Sequence, residues 1–366
     1  MSKAEVIKRG IIYKNDGLFG FAAWPSVAKL NDGRIAVVFS GDRIKHVCPF
    51  GKTMICYSYD EGESWTAPSA VANTVFDDRD GGITVKGNQV LVTSFNNNFA
   101  FQKHENENMP AGAVKDIINK YISLYENASQ DEVGSFVWVS EDGGNTFKTH
   151  YKMPITAPHG PIVLSDGRYF YVGRSFSVEK KFRSENDNTE YLPEGIYYSF
   201  SSDGYNWTQP ELLGTEVPEN EMWCEPHAVE HKNGEISVFI RVHEKNNFKI
   251  PMRTIVTTSS GNLTEWSKPV ELGLQASPPH LMRHSSGAVV CVIGRREKPF
   301  AEQVIISDDD GKTWSLPFDL DNSSVSPDLG YPASVELKDG NILTVYYQHE
   351  KENEKNYIKY TLWKLV

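Results

Sequence analysis

The sequence predicts an all-β protein, a six-bladed β-propeller of four-stranded antiparallel blades. Two repeated patterns indicate this fold. The first reads Ser-x-Asp-x-Gly-x-Thr/Ser-aromatic, and the second is an apolar run, a polar pair with glycine and another apolar run, which is typical of a β-hairpin. A unit that recurs along the chain stacks on its own copies, because one copy cannot bury its apolar face. We therefore expect a single domain, residues 1–366.

The hairpin pattern occurs six times, which predicts six blades. Its copies centre on Gly33, Gly87, Gly167, Gly234, Gly287 and Gly340. Successive glycines are 54, 80, 67, 53 and 53 residues apart, so blades two and three carry insertions. In the first insertion, apolar residues near helical spacing predict a short helix at 110–128. The last strand, 357–365, and the first, 6–13, are expected to share a blade and close the ring, which removes exposed sheet edges.

The aspartate-containing pattern is predicted to be the turn between the third and fourth strands of a blade. It occurs at residues 58–65, 140–147 and 307–314, and in weaker form at 201–207 and 259–266. Asp and Ser side chains bond nearby backbone groups in such turns, and glycine accepts positive φ. We expect a structural role on the outer rim for the turn aspartates, Asp60, Asp142, Asp203 and Asp309.

Composition disfavours several classes of protein. The net charge of −11 disfavours binding to nucleic acid, which requires clustered Lys and Arg. No segment is long and apolar enough to cross a bilayer, and the N-terminus lacks a signal-peptide pattern, so we expect a soluble, cytoplasmic protein. The four cysteines have no Cys-x-x-Cys spacing and are interpreted as buried free thiols.

Counting from the hairpin glycines places polar groups at one mouth of the central channel, where the inner strands begin. Seven to nine residues before the glycines stand Trp24, Asp80, His159, Glu225, His280 and Tyr331. Five of these six side chains titrate, which packing alone does not favour. His227 follows two residues after Glu225, and is interpreted either as part of this group or as a buried histidine with satisfied hydrogen bonds.

Arginines are predicted to reach the same mouth from the second strand of three blades. Arg174 and Arg241 stand seven residues after their hairpin glycines, and Arg295 stands eight after the next. Arginine binds carboxylate and sulfate in a planar, bidentate way, so this cluster in an acidic protein indicates an anionic ligand. The alternative is that each arginine pairs with an acidic neighbour between blades. An aromatic surface of Trp24, Trp223 and Tyr331 would suit a sugar ring.

Two further segments carry candidate residues. The run at 77–80, Asp-Asp-Arg-Asp, is the densest cluster of charge in the chain, and it fits either a solvated loop or part of a site. His46 follows the first hairpin, close to Arg43, and is expected to lie over the mouth. No cofactor is expected, and no spacing motif requires a metal, although four histidines and several aspartates at one mouth could bind one.

These residues resemble the sialidase superfamily, whose six-bladed propellers carry the same aspartate-containing repeats, and the resemblance covers essentially the whole chain. In that family a Glu and a Tyr form the nucleophilic pair, three arginines hold the substrate carboxylate, and an Asp near the N-terminus is the acid/base. Segments 223–230 and 330–334 are similar to the family's Glu and Tyr segments. The resemblance thus implies Glu225 and Tyr331 as the pair, with Arg241 and either Arg295 or Arg296 as two of the arginines.

The first blade departs from the family pattern. Residues 22–25 read Ala-Ala-Trp-Pro where the family has Phe/Tyr-Arg-Ile-Pro, so Trp24 replaces the first arginine, and Arg174 is a candidate to substitute for it. Cys48 and Pro49 occupy the place of the acid/base Asp, and His46, Asp78 and Asp80 are candidates for that role. The candidate catalytic residues are therefore Tyr331, Glu225, His46 and Asp80, and the candidate substrate-binding residues are Trp24, Arg43, Arg79, His159, Arg174, His227, Arg241, His280 and Arg295.

Three functions stay open at this point. The leading hypothesis, which the resemblance implies, is a sialidase-like glycoside hydrolase, exo-acting on an acidic sugar such as a sialic acid, a related ulosonic acid or a uronate in a glycan. The second is a hydrolase or lyase with histidine-centred chemistry on the same scaffold. The third is a noncatalytic carbohydrate-binding propeller, and the fold alone is compatible with all three. In each case the expected partner is a small molecule or oligosaccharide with an anionic group.

Overall fold

Six antiparallel sheets form the blades of a β-propeller, which confirms the predicted fold class. The computed structural model describes residues 2–185, 187, 189–214, 216–247, 249–263 and 265–366. Neighbouring blades contact one another around a closed ring.

Strand β1 (Ala4–Tyr13) precedes the first blade and belongs to the last one. From the channel outward, blade one has β2 (Phe21–Lys29), β3 (Ile35–Arg43), β4 (Lys52–Ser58) and β5 (Ser69–Ala72). Blade two has β6 (Asp77–Lys86), β7 (Gln89–Asn97), β8 (Ser135–Ser140) and β9 (Thr149–Met153). Blade three has a broken inner strand, β10 (Ile155–Thr156) and β11 (Ile162–Val163), followed by β12 (Tyr169–Ser175), β13 (Ile196–Ser201) and β14 (Glu211–Leu212).

The remaining blades follow the same order. Blade four has β15 (Glu221–Glu230), β16 (Ile236–Glu244), β17 (Arg253–Thr258) and β18 (Val270–Glu271). Blade five has β19 (Pro279–Arg283), β20 (Val289–Arg295), β21 (Ala301–Ser307) and β22 (Phe318–Asp321). Blade six has β23 (Gly330–Glu336), β24 (Ile342–Gln348) and β25 (Tyr357–Leu365), and then β1. The pairing of β1 with β25 closes the ring as predicted.

The middle strands contain continuous apolar runs because each blade packs between two neighbours. In β3, Val37 and Phe39 lie in the core shared with blade six, whereas Ala36 and Val38 lie in the core shared with blade two. Successive side chains of a strand point to opposite faces, so a continuous apolar run fills both interfaces. All four cysteines are buried free thiols within these blades, as expected.

The repeated aspartate-containing turns join the third and fourth strands of their blades. In the first of them, Ser58 Oγ donates to Asp60 Oδ1 at 2.8 Å and accepts from the Gly62 N–H at 2.7 Å. The serine four residues after Asp60 donates its hydroxyl to Oδ2 of that carboxylate. The same bonds recur around Asp142 and Asp309. The aspartates are exposed and bond within their own turns, which fits the structural role expected for them.

The insertion of blade two contains two helices. Helix α2 (Ala113–Leu124) falls within the predicted 110–128 segment and buries Ile118 and Ile122. Helix α1 (Phe99–Glu107) is not indicated by the sequence pattern, because its polar residues leave little apolar periodicity. Its first turn is capped by Asn98, whose side chain accepts a backbone N–H. No helix in the described part of the chain is long and apolar enough to span a membrane.

Candidate functional site

Four inner strands carry a β-bulge at the same level of the channel. The bulged residues are Trp24 in β2, Asp80 in β6, Glu225 in β15 and Tyr331 in β23, with left-handed φ values of 54°, 54°, 51° and 50°. Strand pairing is interrupted at each of them. A bulge re-aims one side chain, and here it turns side chains of four blades toward one site. Sequence analysis placed these residues at strand starts, but Trp24, Asp80 and Glu225 lie inside their strands.

Tyr331, Glu225 and Arg241 form a hydrogen-bonded group. The Tyr331 hydroxyl donates to Glu225 Oε1 at 2.5 Å. Arg241, on the neighbouring strand β16, donates from Nη1 to Glu225 Oε2 at 2.5 Å and to the Tyr331 oxygen at 3.2 Å. The structure therefore brings together the Glu and Tyr that the resemblance implies and bridges them with a guanidinium group.

Burial and neighbouring charges set the protonation of this pair. Burial and the charge of Glu225 raise the pKa of Tyr331 well above its usual value. Burial also opposes ionisation of Glu225, but the Arg241 charge and the Tyr331 hydrogen bond outweigh it and hold the pKa of Glu225 below its usual value. Near neutral pH the pair is a neutral phenol beside a carboxylate, an arrangement in which the carboxylate can accept the phenol proton during an attack.

Three guanidinium groups from blades two, four and five converge on Tyr331. Besides Arg241, Arg296 places its guanidinium carbon 5.6 Å from the Tyr331 ring centroid. The Nε and Nη2 atoms of Arg296 are buried with no hydrogen-bond partner among the described residues. Arg79 lies over Trp24, 4.2 Å from the ring centroid, and its charge interacts with Tyr331. Buried guanidinium N–H groups without partners fit an anionic ligand, because such donors otherwise cost free energy.

Two other predicted arginines do not join this group. Arg174 Nη2 lies 3.6 Å from Glu194 Oε1, and Arg295 Nη2 lies 3.7 Å from Asp319 Oδ2. Each therefore pairs with an acidic neighbour, but within its own blade and not between blades as the alternative interpretation holds. Side chains alternate between the two faces of a strand. Arg295, eight residues after its hairpin glycine, therefore points to the face opposite to that of residues seven after theirs, whereas Arg296 points to the same face as those residues.

Arg43 lies beneath the site rather than in it. Its side chain is fully buried, and Nη2 lies 2.6 Å from Oδ1 of the equally buried Asp77. No part of Arg43 is open to a ligand, which contradicts the substrate-binding role expected for it. Trp24 is only 1% exposed and contacts the guanidinium groups of Arg43 and Arg79, so it supports them instead of offering a surface to a sugar. Trp223 packs in the core between blades three and four.

Three histidines form a cluster inside the channel. The ring centroids of His159, His227 and His280 are 4.4 to 5.6 Å apart. His227 Nδ1 accepts the Leu281 N–H at 3.0 Å, and His280 Nδ1 accepts the Ser334 N–H at 3.3 Å, so each bonds to the next blade. Burial lowers the pKa of His227 to about 3 and places those of the other two well below the usual value, so all three are neutral at pH 7. In the described ranges, no group of three or more His, Cys, Asp or Glu residues fits a metal ion.

The charge run at 77–80 begins strand β6 and is 0 to 8% exposed, so its interpretation as a solvated loop is wrong. Asp78 accepts the Thr74 hydroxyl at 2.9 Å, and burial raises its pKa to about 7. Asp80 belongs to the bulged group, and its carboxyl lies 3.5 Å from Arg79 Nε. Burial raises the pKa of Asp80, and its charge interacts with the glutamate of the pair. Asp80 is thus the acidic member of this run that reaches the site.

His46 lies at the mouth, half-exposed, in the loop after β3. Its ring meets Trp24 edge-on with centroids 4.7 Å apart, and Nδ1 lies 3.4 Å from Asp328 Oδ1. Asp328 also accepts from the Tyr347 hydroxyl and the Asn356 amide, both at 2.8 Å. Asp328 lies in an irregular segment outside both repeats, so no sequence pattern indicates it. Tyr347 could have been predicted from the sequence, because it stands seven residues after its hairpin glycine, the same spacing as Arg174 and Arg241.

Comparisons with known proteins report on the fold. No protein-family model matches the chain, and no curated protein matches it in sequence. Among solved structures, a protein of unknown function from Dyadobacter fermentans is 18% identical with a TM-score of 0.75, and the match covers 99% of both chains.

Two sialidases are also similar in structure. The NanB sialidase from Streptococcus pneumoniae is 12% identical with a TM-score of 0.66, over 97% of this chain and 70% of that one. The Trypanosoma rangeli sialidase, solved with the inhibitor DANA, is 14% identical with a TM-score of 0.61, over 97% of this chain and 59% of that one. At these identities the likeness concerns the fold, and this chain has the six-bladed propeller fold of the sialidases.

Proposed function

We propose that this protein is a glycoside hydrolase, exo-acting on an acidic sugar such as a sialic acid, a related ulosonic acid or a uronate. The observation that carries the proposal is the contact between the Tyr331 hydroxyl and the Glu225 carboxylate, bridged by Arg241. A buried phenol hydrogen-bonded to an ionised carboxylate and surrounded by guanidinium groups is an activated nucleophile with an anion site around it.

The choice of a phenol as nucleophile follows from the charge of such a substrate. A carboxylate on or near the anomeric carbon repels a carboxylate nucleophile, so a neutral phenol is the better attacking group. In the first step the Tyr331 oxygen bonds to the anomeric carbon, its proton passes to Glu225, and the bond to the leaving oxygen breaks as an acid protonates that oxygen. In the second step water attacks the anomeric carbon and gives a proton to the conjugate base of that acid, the bond between this carbon and the Tyr331 oxygen breaks, and the released Tyr331 oxygen recovers its proton from Glu225.

The substrate anion would be held by Arg79, Arg241 and Arg296. Arg79 takes the role that the first arginine has in the sialidase pattern, because Trp24 occupies that position and supports the Arg79 guanidinium on its ring. Arg296 contributes two buried nitrogens without protein partners in the described part of the chain. A fixed cluster of this kind lowers the cost of reaching a transition state with oxocarbenium character, because it needs no reorganisation as charge develops.

Two groups are placed to protonate the leaving oxygen. Asp80 lies in the bulged group, and the raised pKa of its carboxyl favours the protonated form that an acid needs. His46 lies above it at the mouth, in a cleft that it shares with Arg296 and Asp328. By contrast, all three channel histidines are buried and neutral, which does not favour a reaction centred on them. His227 and His280 bond to strands of the next blade, whereas the two ring nitrogens of His159 have no hydrogen-bond partner in the described part of the chain.

The test uses fluorogenic glycosides of sialic acid and of glucuronic and galacturonic acid. We expect release of fluorophore from at least one acidic glycoside and none from the matching neutral sugars. Tyr331→Phe removes only the phenol oxygen and should lower kcat by about a thousandfold or more, since it deletes the nucleophile. Tyr205→Phe, an exposed tyrosine in the turn at residues 201–207, is the matched control and should leave kcat unchanged.

Other outcomes would contradict the proposal in distinguishable ways. Calorimetric binding of an acidic sugar without turnover of any glycoside would indicate a carbohydrate-binding propeller. An unsaturated product that absorbs in the ultraviolet would indicate a lyase. Turnover that survives Tyr331→Phe unchanged would remove the nucleophilic role assigned to the phenol.

A further inference from the structure

We propose that Asp328 positions His46 as the proton donor to the leaving oxygen. In this protein a histidine–aspartate pair then replaces the carboxylic acid of the sialidase pattern as the general acid. The inference rests on the hydrolase function proposed above and adds to it the identity of the acid. It is carried by the placement of His46 and by the contacts that fix Asp328.

The His46 ring is held on one side and open on the other. Its carbonyl accepts from Arg43 Nη2 at 2.8 Å, which anchors the loop to the buried Arg43–Asp77 pair. The ring packs edge-on against Trp24 at 4.7 Å and against Phe21 at 6.0 Å. Its Nδ1 atom faces Asp328 at 3.4 Å, whereas Nε2 has no partner among the residues that the structure describes. The ring is therefore oriented by the protein and leaves one nitrogen for a ligand.

Asp328 is itself fixed by two donors. The Tyr347 hydroxyl donates to Oδ1 and the Asn356 amide to Oδ2, each at 2.8 Å. Burial opposes its ionisation, but the contacts with His46 and Tyr347 outweigh it and hold the pKa of Asp328 below its usual value. A rigid carboxylate that faces Nδ1 selects the tautomer with the proton on Nδ1, which leaves Nε2 to give and take the catalytic proton.

The surroundings of His46 favour it over Asp80 as the donor. His46 and Asp328 border the open cleft together with Arg296, and a leaving group needs such space. Asp80 is only 8% exposed and its carboxyl lies 3.5 Å from Arg79 Nε, so it offers a leaving group less access than the half-exposed His46. The charged groups that act on His46 or on Asp328 are the carboxyls of Asp80 and Asp328, the guanidinium of Arg296, which lies near Asp328, and that of Arg43, which lies below the loop.

The first arm of the test varies the leaving group. Two glycosides of the acidic sugar that the enzyme cleaves are compared, one with 4-nitrophenol and one with methanol as the leaving group. Because 4-nitrophenolate leaves without protonation, His46→Ala should lower kcat/KM for the methyl glycoside by about a hundredfold to ten-thousandfold and affect the nitrophenyl glycoside far less. His104→Ala, on the exposed side of helix α1, is the matched control and should change neither.

The second arm tests the role of Asp328. Asp328→Asn removes the charge but keeps the size of the side chain, and its amide can donate to Nδ1, so the proton of the neutral His46 ring should move from Nδ1 toward Nε2. The ¹⁵N NMR shifts of the His46 ring report this tautomer without reference to turnover. With the tautomer reversed, kcat/KM for the methyl glycoside should fall by about tenfold or more, and that for the nitrophenyl glycoside should change far less.

The outcomes separate this inference from the proposed function. Equal losses of both glycosides in His46→Ala, or a loss selective for the methyl glycoside in Asp80→Asn but not in His46→Ala, would overturn His46 as the donor while hydrolysis stands. An unchanged tautomer of the His46 ring in Asp328→Asn would overturn the positioning role. If the wild-type protein cleaves no acidic glycoside, the proposed function fails and the proton-donor role fails with it.

Discussion

Replacement of Arg43 by methionine should destabilise the propeller by about 3 kcal/mol. Arg43 and Asp77 have fully buried side chains, with 2.6 Å between Nη2 and Oδ1. Loss of one partner of a buried ion pair costs about 3 to 5 kcal/mol, because the other charge stays buried without compensation. The lower end applies here, since Asp77 would keep the Gln102 amide at 2.8 Å, the Cys48 N–H at 3.4 Å and the charge of Arg79, whose Nη1 lies 3.8 Å from Oδ2.

Urea unfolding at pH 7, followed by tryptophan fluorescence, measures this loss. The matched control is Arg168→Met, which breaks the exposed pair with Asp166 and should cost less than about 1 kcal/mol. Adding Asp77→Asn to Arg43→Met removes the stranded charge and should recover part of the lost stability. A loss in Arg43→Met no larger than that in Arg168→Met, or further destabilisation by Asp77→Asn, would refute the assignment of Arg43 to the core.

Three further outcomes follow from the same structure. Arg79→Ala should raise KM for the acidic sugar by about tenfold to a hundredfold, as expected for a lost charge-assisted contact, whereas Arg295→Ala should leave KM unchanged in steady-state kinetics. Burial raises the pKa of Asp78 to about 7, so its contribution to the stability of the folded state is present at low pH and is lost as pH rises through 7. The urea midpoint of Asp78→Asn should therefore exceed that of the wild-type protein by more at pH 8.5 than at pH 5. Burial raises the pKa of Glu302 well above its usual value and its two oxygens have no hydrogen-bond partner in the described chain, so Glu302→Gln should leave the urea midpoint at pH 7 nearly unchanged.

The fold could be predicted because its information is local and repeated. Each hairpin glycine and each aspartate-containing turn is a short-range signal, and six hairpins sufficed to count the blades and close the ring. The inner strand of blade three was harder, because Pro158 and Pro161 interrupt it on either side of His159. Helix α1 was not predicted because its sequence has no apolar residues at helical spacing. Its stability comes from the Asn98 cap and from tertiary packing.

The site could be predicted only in part, because counting residues along a strand gives the height of a side chain along the channel but not how deeply that side chain is buried. The count placed Glu225, Arg241 and Tyr331 together correctly in space, and strand parity explains why Arg296 and not Arg295 lies beside them. It could not show that Arg43 lies under the site, since burial depends on how the blade-two strand packs against the loop after β3. Asp328 carries no sequence signal, because its contact with His46 joins segments that are remote in the chain.

The four bulges indicate that this level of the channel binds a ligand. A left-handed backbone at a residue other than glycine costs about 1 to 3 kcal/mol, so a strand adopts it only where the surrounding structure enforces it. Here it occurs at Trp24, Asp80, Glu225 and Tyr331, in four blades and at one level. In β19 of blade five the pairing runs regularly past His280, whose ring bonds to the next blade. Within the inner strands, the left-handed residues other than glycine are thus those whose side chains are turned toward the proposed nucleophile or toward the arginine beside it, a distribution that packing of the channel alone does not require.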